Sequence, residues 1–181
     1  MRFLLSLLLS LGLTTAVMAA GHAPKGPVIL TVGGDLPDPN APGGTADDVT
    51  FLGHLDFNFA SGYAFDFAAL AALEQHSITA TLSVSSGPVT WSGPRLSDVL
   101  TAAGAQGRTI YPTALDGYQP ETPWDMIETY QPILATHGDG APLGLGGIGP
   151  TMIVFPVVED AELYESFDAF QVWALFFIAV E

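Results

Sequence analysis

Residues 91–100, Trp-Ser-Gly-Pro-Arg-Leu-Ser-Asp-Val-Leu, place the strongest constraint on the fold. Pro94 suits the first turn of a helix because proline lacks the backbone N–H that has no helical partner there. The Leu, Val and Leu that follow it then fall on one face of the helix. Gly104 can end the helix in the left-handed conformation. The segment therefore predicts a short buried helix that follows a strand.

The remaining chain alternates short strand patterns with a few helix patterns. Polar and apolar residues alternate over 78–84, as in a half-buried strand, and residues 170–180 are almost wholly apolar, as in a central strand. Residues 49–59 are compatible with a strand or with an aromatic-lined loop, and residues 35–48 are rich in Pro, Gly and Asp, which predicts a solvated loop. Further strands are predicted over 28–32, 109–115, 133–136 and 151–155, and helices over 65–76, capped by Asp66, and 120–130. The pattern predicts an α+β domain with a mixed, mostly antiparallel sheet and short helices.

The first 19 residues have the features of a secretory signal peptide. Arg2 precedes an apolar run over residues 3–13, and small residues stand before a predicted cleavage after Ala19. That run is shorter than the ~20 residues that span a bilayer, so we expect no stable membrane insertion after the signal is removed. We predict one domain over residues 20–181, located in the periplasm or secreted.

Charge and cysteine content exclude several classes of function. The chain has 19 Asp and Glu against 4 Lys and Arg, a net charge of −15, so nucleic acid is not an expected partner. With Arg2 in the signal peptide, the cations left are Lys25, Arg95 and Arg108. There is no cysteine, which excludes disulfides, thiolate nucleophiles and thiolate metal sites.

Other catalytic patterns are weak. The histidines are too scattered for a metal-binding pattern, and the oxygen-rich loop 35–48 lacks the spacing of a calcium loop, so no metal ligand is assigned. A Gly-x-Ser-x-Gly elbow is absent, which leaves Ser92 with His137 and Asp116 or Asp139 as an open but unsupported hydrolase arrangement. No catalytic residue is predicted.

A ligand pocket is expected where aromatic walls meet a few polar groups. Aromatic residues stand close to polar, glycine-rich turns in the segments around 91–95, 116–118 and 137–139. The candidate ligand-binding residues are Trp91, Arg95, Asp116, Tyr118, His137 and Asp139.

Several short motifs occur in a fixed order along the chain. They are Leu30-Thr-Val-Gly-Gly-Asp35, Phe65-Asp66, Thr79-Ala-Thr81, Trp91-x-Gly-Pro, Leu96-x-Asp-Val-Leu100, Ala114-Leu-Asp-x-Tyr118, Asp139-Gly140, Gly149-Pro150 and Trp173-Ala-Leu175. Their order resembles that of a known family, the molybdopterin-binding domain of sulfite-oxidase-like oxidoreductases, and in particular its small exported relatives. The resemblance covers nearly the whole predicted mature chain.

The resemblance implies a domain that holds a molybdenum pterin cofactor and carries out oxygen-atom transfer or reduction. In the larger enzymes of this kind a cysteine thiolate at the end of a strand like 78–84 holds the metal. This chain has Ser83, Ser85 and Ser86 in that region, and a hydroxyl is a harder and far more basic donor than a thiolate. A pterin phosphate also needs paired cations or a row of backbone N–H groups, and residues 143–149 carry no charge.

We therefore expect a sulfite-oxidase-like domain without the metal-ligating cysteine. The leading hypothesis is a non-catalytic module that binds a small molecule or a periplasmic protein and has no resident cofactor. The alternative is a molybdopterin-dependent oxidoreductase that holds its cofactor by an unusual ligand.

Overall fold

A computed structural model describes residues 23–181, which form three β-sheets with short helices. The predicted signal peptide and His22 lie outside the described residues. The strands are β1 (Val28–Gly34), β2 (Ala41–Gly44), β3 (Phe59–Asp66), β4 (Gln75–Ala80), β5 (Val89–Pro94), β6 (Ile110–Ala114), β7 (Ile133–Ala135), β8 (His137–Gly138), β9 (Ala141–Pro142), β10 (Met152–Val154) and β11 (Leu175–Val180). The α-helices are α1 (Phe51–His54), α2 (Phe67–Ala71), α3 (Leu96–Ala102), α4 (Trp124–Tyr130) and α5 (Ala161–Ser166), and a 3₁₀ helix follows over Phe167–Phe170.

The largest sheet has the strand order β2-β3-β1-β11-β6. β11 runs parallel to β1, with Thr31 opposite Phe177, and antiparallel to β6. The other strand pairs in the three sheets are antiparallel, so the α+β architecture with mixed, mostly antiparallel sheets is confirmed. β11 lies inside its sheet and is mostly buried, as predicted, but it begins at Leu175 because Phe167–Phe170 form the 3₁₀ helix.

The other two sheets build a second, smaller part of the core. β4, β5, β8 and β9 form one sheet in that order, and β7 pairs with β10 in the other. Trp91 on β5 is buried in a cluster with Leu82, Ile133 and Val154. The larger cluster lies against the five-stranded sheet and includes Leu30, Leu70, Leu96, Leu100, Phe155, Phe167, Leu175 and Ile178. Within residues 23–181, no helix is long and apolar enough to cross a membrane.

The helix predicted over 65–76 is wrong in its length. β3 continues to Asp66, helix α2 ends at Ala71, and His76 lies in β4 rather than at a helix C-terminus. The cause is pairing with distant strands: Phe65 pairs with Leu30 of β1, and His76 pairs with Gly93 of β5. Asp66 does cap the helix, as predicted, by accepting a hydrogen bond from the Ala69 N–H at 2.8 Å.

Two further segments differ from expectation. Residues 49–59 form neither a strand throughout nor only a loop, because Thr50 caps helix α1 and accepts a hydrogen bond from the Gly53 N–H at 3.0 Å. β2 lies within the predicted loop 35–48, where Ala41 pairs with Gly62 of β3. β2 depends on pairing with a distant strand, which local patterns do not reveal, whereas α1 begins at a local cap that the prediction missed.

The strand and helix predicted around residues 91–100 are confirmed. Leu96, Val99 and Leu100 of α3 are wholly buried, and Gly104 has a φ of +73° just after the helix. Pro94 is the last residue of β5 rather than the first of the helix. Helix α3 begins at Leu96, so it starts two residues later than predicted.

The Asp66 carboxylate forms hydrogen bonds that join the start of the described chain to helix α2. One carboxylate oxygen accepts the Ala69 N–H, and the other accepts the N–H groups of Lys25 and Gly26, each at 2.8 Å. Bonds to the charged form lower the pKa of Asp66 below its ordinary value, the Ala69 N–H contributing most. The stabilisation that this carboxylate contributes is therefore present above the unfolded-state pKa and is lost as the pH falls through the lower folded-state pKa.

Asp66→Asn should lower the Tm at pH 7 by about 3–6 °C, because an amide nitrogen cannot accept the hydrogen bonds that the replaced oxygen accepts. The difference from wild type should shrink as the pH falls below about 4, because the unfolded chain takes up the proton first and the folded carboxylate takes it up only at its lower pKa. Thermal unfolding from pH 7 to pH 3 measures both effects. Glu128→Gln, at an exposed carboxylate on α4, is the control and should show neither.

Gly93 permits a close approach between β5 and the backbone of β7. A Cβ added at Gly93 would overlap the carbonyl oxygen of Leu134, whereas one added at Gly87 would meet no atom within 4 Å. Because the obstacle is backbone, rotation of a side chain cannot relieve it.

Gly93→Ala should therefore reduce the free energy of unfolding by about 2–3 kcal/mol in urea denaturation. Gly87→Ala, which adds the same methyl group in open space, should change it by less than about 0.5 kcal/mol. Equal effects of the two substitutions would contradict the close approach.

Candidate ligand-binding cleft

Two adjoining hollows form one cleft beside the 3₁₀ helix Phe167–Phe170. Their volumes are about 360 and 330 Å³, and both are lined by Ser83, Asp168 and Gln171. The first is completed by Thr81, Leu82, Tyr164 and Glu165, and the second by Ala114, Asp116, Tyr118, Ala169 and Trp173. Because these three residues line both hollows, the two hollows adjoin each other there.

The cleft forms where three chain segments converge. Ser83 follows β4, Asp116 and Tyr118 stand on the turn after β6, and Asp168 and Gln171 come from the segment that leads into β11. The turn is built locally, because the Asp116 carboxylate accepts the Tyr118 N–H at 3.0 Å and Gly117 takes a φ of +88°. The Tyr118 hydroxyl then donates to the Ala169 carbonyl at 2.6 Å, which joins two of the three segments.

Gln171 is the unusual residue of the cleft. The residue lines both hollows but is only 8% exposed, and its amide oxygen Oε1 is closed to solvent and has no hydrogen-bond partner among the described residues. Rotation of the terminal amide by 180° exchanges its oxygen and nitrogen, so either chemical group can occupy the buried position. A buried amide group without a partner destabilises a folded chain.

The other lining groups are acidic and aromatic. Glu165, Asp168 and Asp116 supply carboxylates, whereas neither lysine nor arginine lines either hollow. Tyr118 and Trp173 are 47% and 40% exposed, which leaves much of both aromatic side chains open to solvent. The arrangement offers carboxylate oxygens, aromatic faces and one amide to a bound molecule.

The structure separates the six residues predicted to bind a ligand. Asp116 and Tyr118 line the cleft, but Trp91, Arg95, His137 and Asp139 do not. Trp91 is 2% exposed, and its indole N–H donates to the Ala80 carbonyl at 3.4 Å, so it is a core residue of the four-stranded sheet.

The remaining three residues form hydrogen bonds or ring contacts with residues outside the cleft. Arg95 donates to the Gln131 side chain at 2.8 Å. Asp139 accepts the Thr90 N–H at 2.9 Å, which fastens the β8–β9 turn to β5. His137 lies 2.9 Å from the Thr136 hydroxyl through Nδ1, and its ring meets Phe67 edge to face.

The structure brings together only two of the three groups of the possible hydrolase arrangement. Ser92 of β5 pairs directly with His137 of β8, so the serine and histidine are cross-strand neighbours. The histidine Nδ1 contacts a threonine hydroxyl, and the nearby Asp139 carboxylate is bonded to a backbone N–H, so no carboxylate orients the imidazole. This pair therefore lacks the third group that a catalytic triad requires.

The three cations left by the predicted signal cleavage lie away from the cleft. Lys25 lines a different hollow with Asp66 and Ala69. Arg108 donates to the Asp35 and Val180 carbonyls at 2.8 and 3.1 Å. Its guanidinium therefore joins the residue that follows β1 to the last residue of β11. The described residues also contain no cluster of His, Asp and Glu that could hold a metal ion.

Most cleft residues could not be found from local sequence patterns. Ser83 had a weak sequence signal, since it is one of three serines, with Ser85 and Ser86, in the region where the family resemblance implies a metal ligand, and it lines both hollows. Ser85 instead holds a turn by accepting the Leu82 N–H at 2.9 Å and donating to carbonyl oxygens. Glu165, Asp168, Gln171 and Trp173 carried no signal, because an acidic helix end and an isolated Gln or Trp are common on protein surfaces.

The chain is similar in fold to the sulfane dehydrogenase SoxCD from Paracoccus pantotrophus. The two share 15% sequence identity with a TM-score of 0.54, over 83% of this chain and 37% of that one. The present chain thus corresponds to little more than a third of that protein's length. No protein-family model and no curated protein matches the sequence. At this identity the likeness concerns the fold alone.

Gln171→Met should stabilise the protein, because it replaces a buried amide that has no partner by an apolar side chain of similar length. Relief of the unpaired group should raise the Tm by about 2–5 °C. Gln119→Met is the matched control: its amide donates to the Thr113 hydroxyl at 2.7 Å, so the same substitution there should lower the Tm. A fall in Tm for Gln171→Met would mean that the amide has a structural role.

Proposed function

We propose that this protein is an exported, sulfite-oxidase-like domain that binds a small polar molecule in the cleft around Ser83, Asp168 and Gln171. The observation that carries the proposal is the pair of joined hollows, about 360 and 330 Å³ in volume, that share Ser83, Asp168 and Gln171. A concave site that combines aromatic walls with a few polar groups is the usual place for a small-molecule ligand.

The family assignment within this proposal rests on two supports. The ordered motifs of the sequence resemble the molybdopterin-binding domain of sulfite-oxidase-like enzymes, and the chain is similar in fold to a sulfane dehydrogenase. Ser83, one of three serines in the region where the resemblance implies a metal ligand, lines the cleft. A ligand in the cleft would therefore lie in the region that the resemblance assigns to the metal.

The residues of the cleft do not fit a molybdopterin cofactor. A pterin phosphate is anionic and is held by cations or by rows of backbone N–H groups, whereas the charged groups that line the cleft are the carboxylates of Asp116, Glu165 and Asp168. Ser83 supplies a hydroxyl where a thiolate is expected. We therefore assign the cleft to a ligand other than molybdopterin.

A second candidate, a molybdopterin-dependent oxidoreductase with an unusual metal ligand, is favoured by the fold of the sulfane dehydrogenase and by the position of Ser83. Molybdenum analysis and released-pterin fluorescence separate the two candidates. The protein is purified from the cells that naturally export it, so that the machinery for loading a cofactor is present. Close to one molybdenum per chain, with pterin, would establish the second candidate and remove the first.

Ligand binding is tested by backbone amide NMR of the ¹⁵N-labelled exported protein with four probes of one length: 1,4-butanediol, 1,4-diaminobutane, succinate and succinamide. At least one probe should shift the amide signals of Ser83, Asp168 and Gln171 together with the indole signal of Trp173. The indole of the buried Trp91 should not move, which makes it an internal control.

Saturable shifts confined to the cleft would support the proposed function whichever probe produces them. If no probe of any charge moves these signals at millimolar concentration, the cleft is not a small-molecule site and the proposal fails.

A further inference from the structure

We propose that the outer edge of strand β4 binds an extended segment of another protein, which joins the four-stranded sheet as an added strand. The segment carries apolar and polar residues in alternation, with lysine or arginine at the end that lies beyond Thr81. No residue of β4 lines either hollow of the cleft, so the edge is a second binding surface that goes beyond the proposed function.

Hydrogen bonds of β5 show which of its backbone groups face β4. The Thr90 carbonyl accepts the Asp139 N–H at 2.8 Å, and the Ser92 carbonyl accepts the Thr136 N–H at 2.9 Å. The backbone groups of Thr90 and Ser92 therefore point toward the segment that contains β8. Backbone groups alternate in direction along a strand, so those of Trp91, which lies between them, point toward β4.

The same alternation identifies the outward groups of β4. Ile78 lies opposite Trp91 and faces β5, so the backbone N–H and C=O groups of Ser77 and Thr79 face away from β5. No hydrogen bond within residues 23–181 engages these outward groups, and both residues are exposed. β4 therefore presents unpaired donors and acceptors to solvent along its outer edge.

The other edges of the two larger sheets have features that prevent the addition of a strand. β2 and β6 contain Pro42 and Pro112, and β9 has only two residues, one of which is Pro142. β6 is also bridged by Thr122, which pairs with Ile110. Proline offers no N–H to a new partner, and very short strands offer few groups. Among these four edges, β4 alone has six residues with no proline, acidic residue, lysine, arginine or register shift.

The side chains of β4 specify the pattern of the added strand. Ile78 and Ala80 belong to the apolar cluster around Trp91, whereas Ser77 and Thr79 are exposed on the opposite face. A strand that pairs with β4 continues both faces. Its residues therefore alternate between apolar side chains, which pack beside Ile78, and polar side chains, which lie beside Ser77 and Thr79.

Charge indicates which end of the segment is basic. The outward carbonyl of Thr81 accepts the Tyr164 hydroxyl at 3.4 Å, which places helix α5 at the end of the edge. The hollow there is lined by Thr81 and by the exposed residues Glu165 and Asp168, whose carboxylates form no ion pair within residues 23–181. A segment that continues past Thr81 meets these carboxylates, so lysine or arginine at that end is complementary to them.

The same charge disfavours a second copy of this chain as the occupant. A two-fold antiparallel pairing centred on Ile78 would set Glu74 of one copy opposite Leu82 of the other. Leu82 lines the hollow that contains Glu165, so the pairing would bring carboxylates together. Each copy also has a net charge of −15, which opposes association. A basic segment of a different protein has neither cost.

The probe is a capped peptide in which valine and threonine alternate between two pairs of lysines, and its control carries glutamate in place of every lysine. Titration of the ¹⁵N-labelled exported protein with the lysine peptide should shift the amide signals of Ser77 and Thr79 in a saturable manner. At saturation, hydrogen exchange of these two amides should slow at least about tenfold. The glutamate peptide should bind at least about tenfold more weakly.

Variants of one residue separate strand pairing from side-chain contact. Ser77→Pro removes an outward N–H and leaves the hydrogen bonds to β5, because that N–H does not face β5. It should weaken binding of the lysine peptide at least about fivefold, whereas Ser77→Ala, which keeps the N–H, should change it less than about twofold. A lysine peptide with methylated backbone nitrogens removes the same bonds on the wild-type protein and should also bind at least about fivefold more weakly.

Several results would overturn the proposal. These are equal binding of the lysine and glutamate peptides, equal effects of Ser77→Pro and Ser77→Ala in folded protein, full binding of the methylated peptide, or no shift of the Ser77 and Thr79 amides at millimolar peptide. A dimer in sedimentation of the free protein, with slow exchange at Ser77 and Thr79, would assign the edge to a second copy and overturn it as well.

Discussion

The parallel pairing of the first and last strands is the constraint on which the rest of the structure depends. β11 enters the sheet between β1 and β6, with Thr31 opposite Phe177 and Val32 opposite Ile178. A parallel partner cannot be reached through a tight turn, so the whole intervening chain must run around the sheet before β11 is added. Antiparallel pairing with β6, in which Leu175 lies opposite Ala114, then brings the segment just before β11 beside the turn that follows β6, and the cleft forms at that junction.

The cleft contains one feature that is unfavourable in the folded protein. Gln171 leaves an amide oxygen buried and unpaired, which raises the free energy of the folded state. The carboxylates of Glu165 and Asp168 belong to exposed residues and are solvated, so they contribute little to that cost.

Sequence patterns predicted elements well where a segment is organised by its own residues. Helix α3 and its end at Gly104 follow from apolar spacing and a left-handed glycine, and the turn at Asp116 follows from a short-range side-chain bond. The prediction failed over 65–76, where an apolar stripe typical of a helix is divided between β3, α2 and β4. There, pairing of Phe65 with β1 and of His76 with β5 outweighs the local preference.

The sequence by itself determined the α+β class, the acidic charge, the absence of thiolate chemistry and two of the cleft residues, Asp116 and Tyr118, because these depend on composition or on neighbours in the chain. Only the tertiary structure decided which polar residues meet. It placed Trp91 in the core and used Arg95 and Asp139 in hydrogen bonds to residues outside the cleft, and it brought Ser83 and Gln171 together from distant parts of the chain. The physical reason is that strand pairing between distant segments sets the position of each loop, and a single sequence does not reveal which distant strands pair.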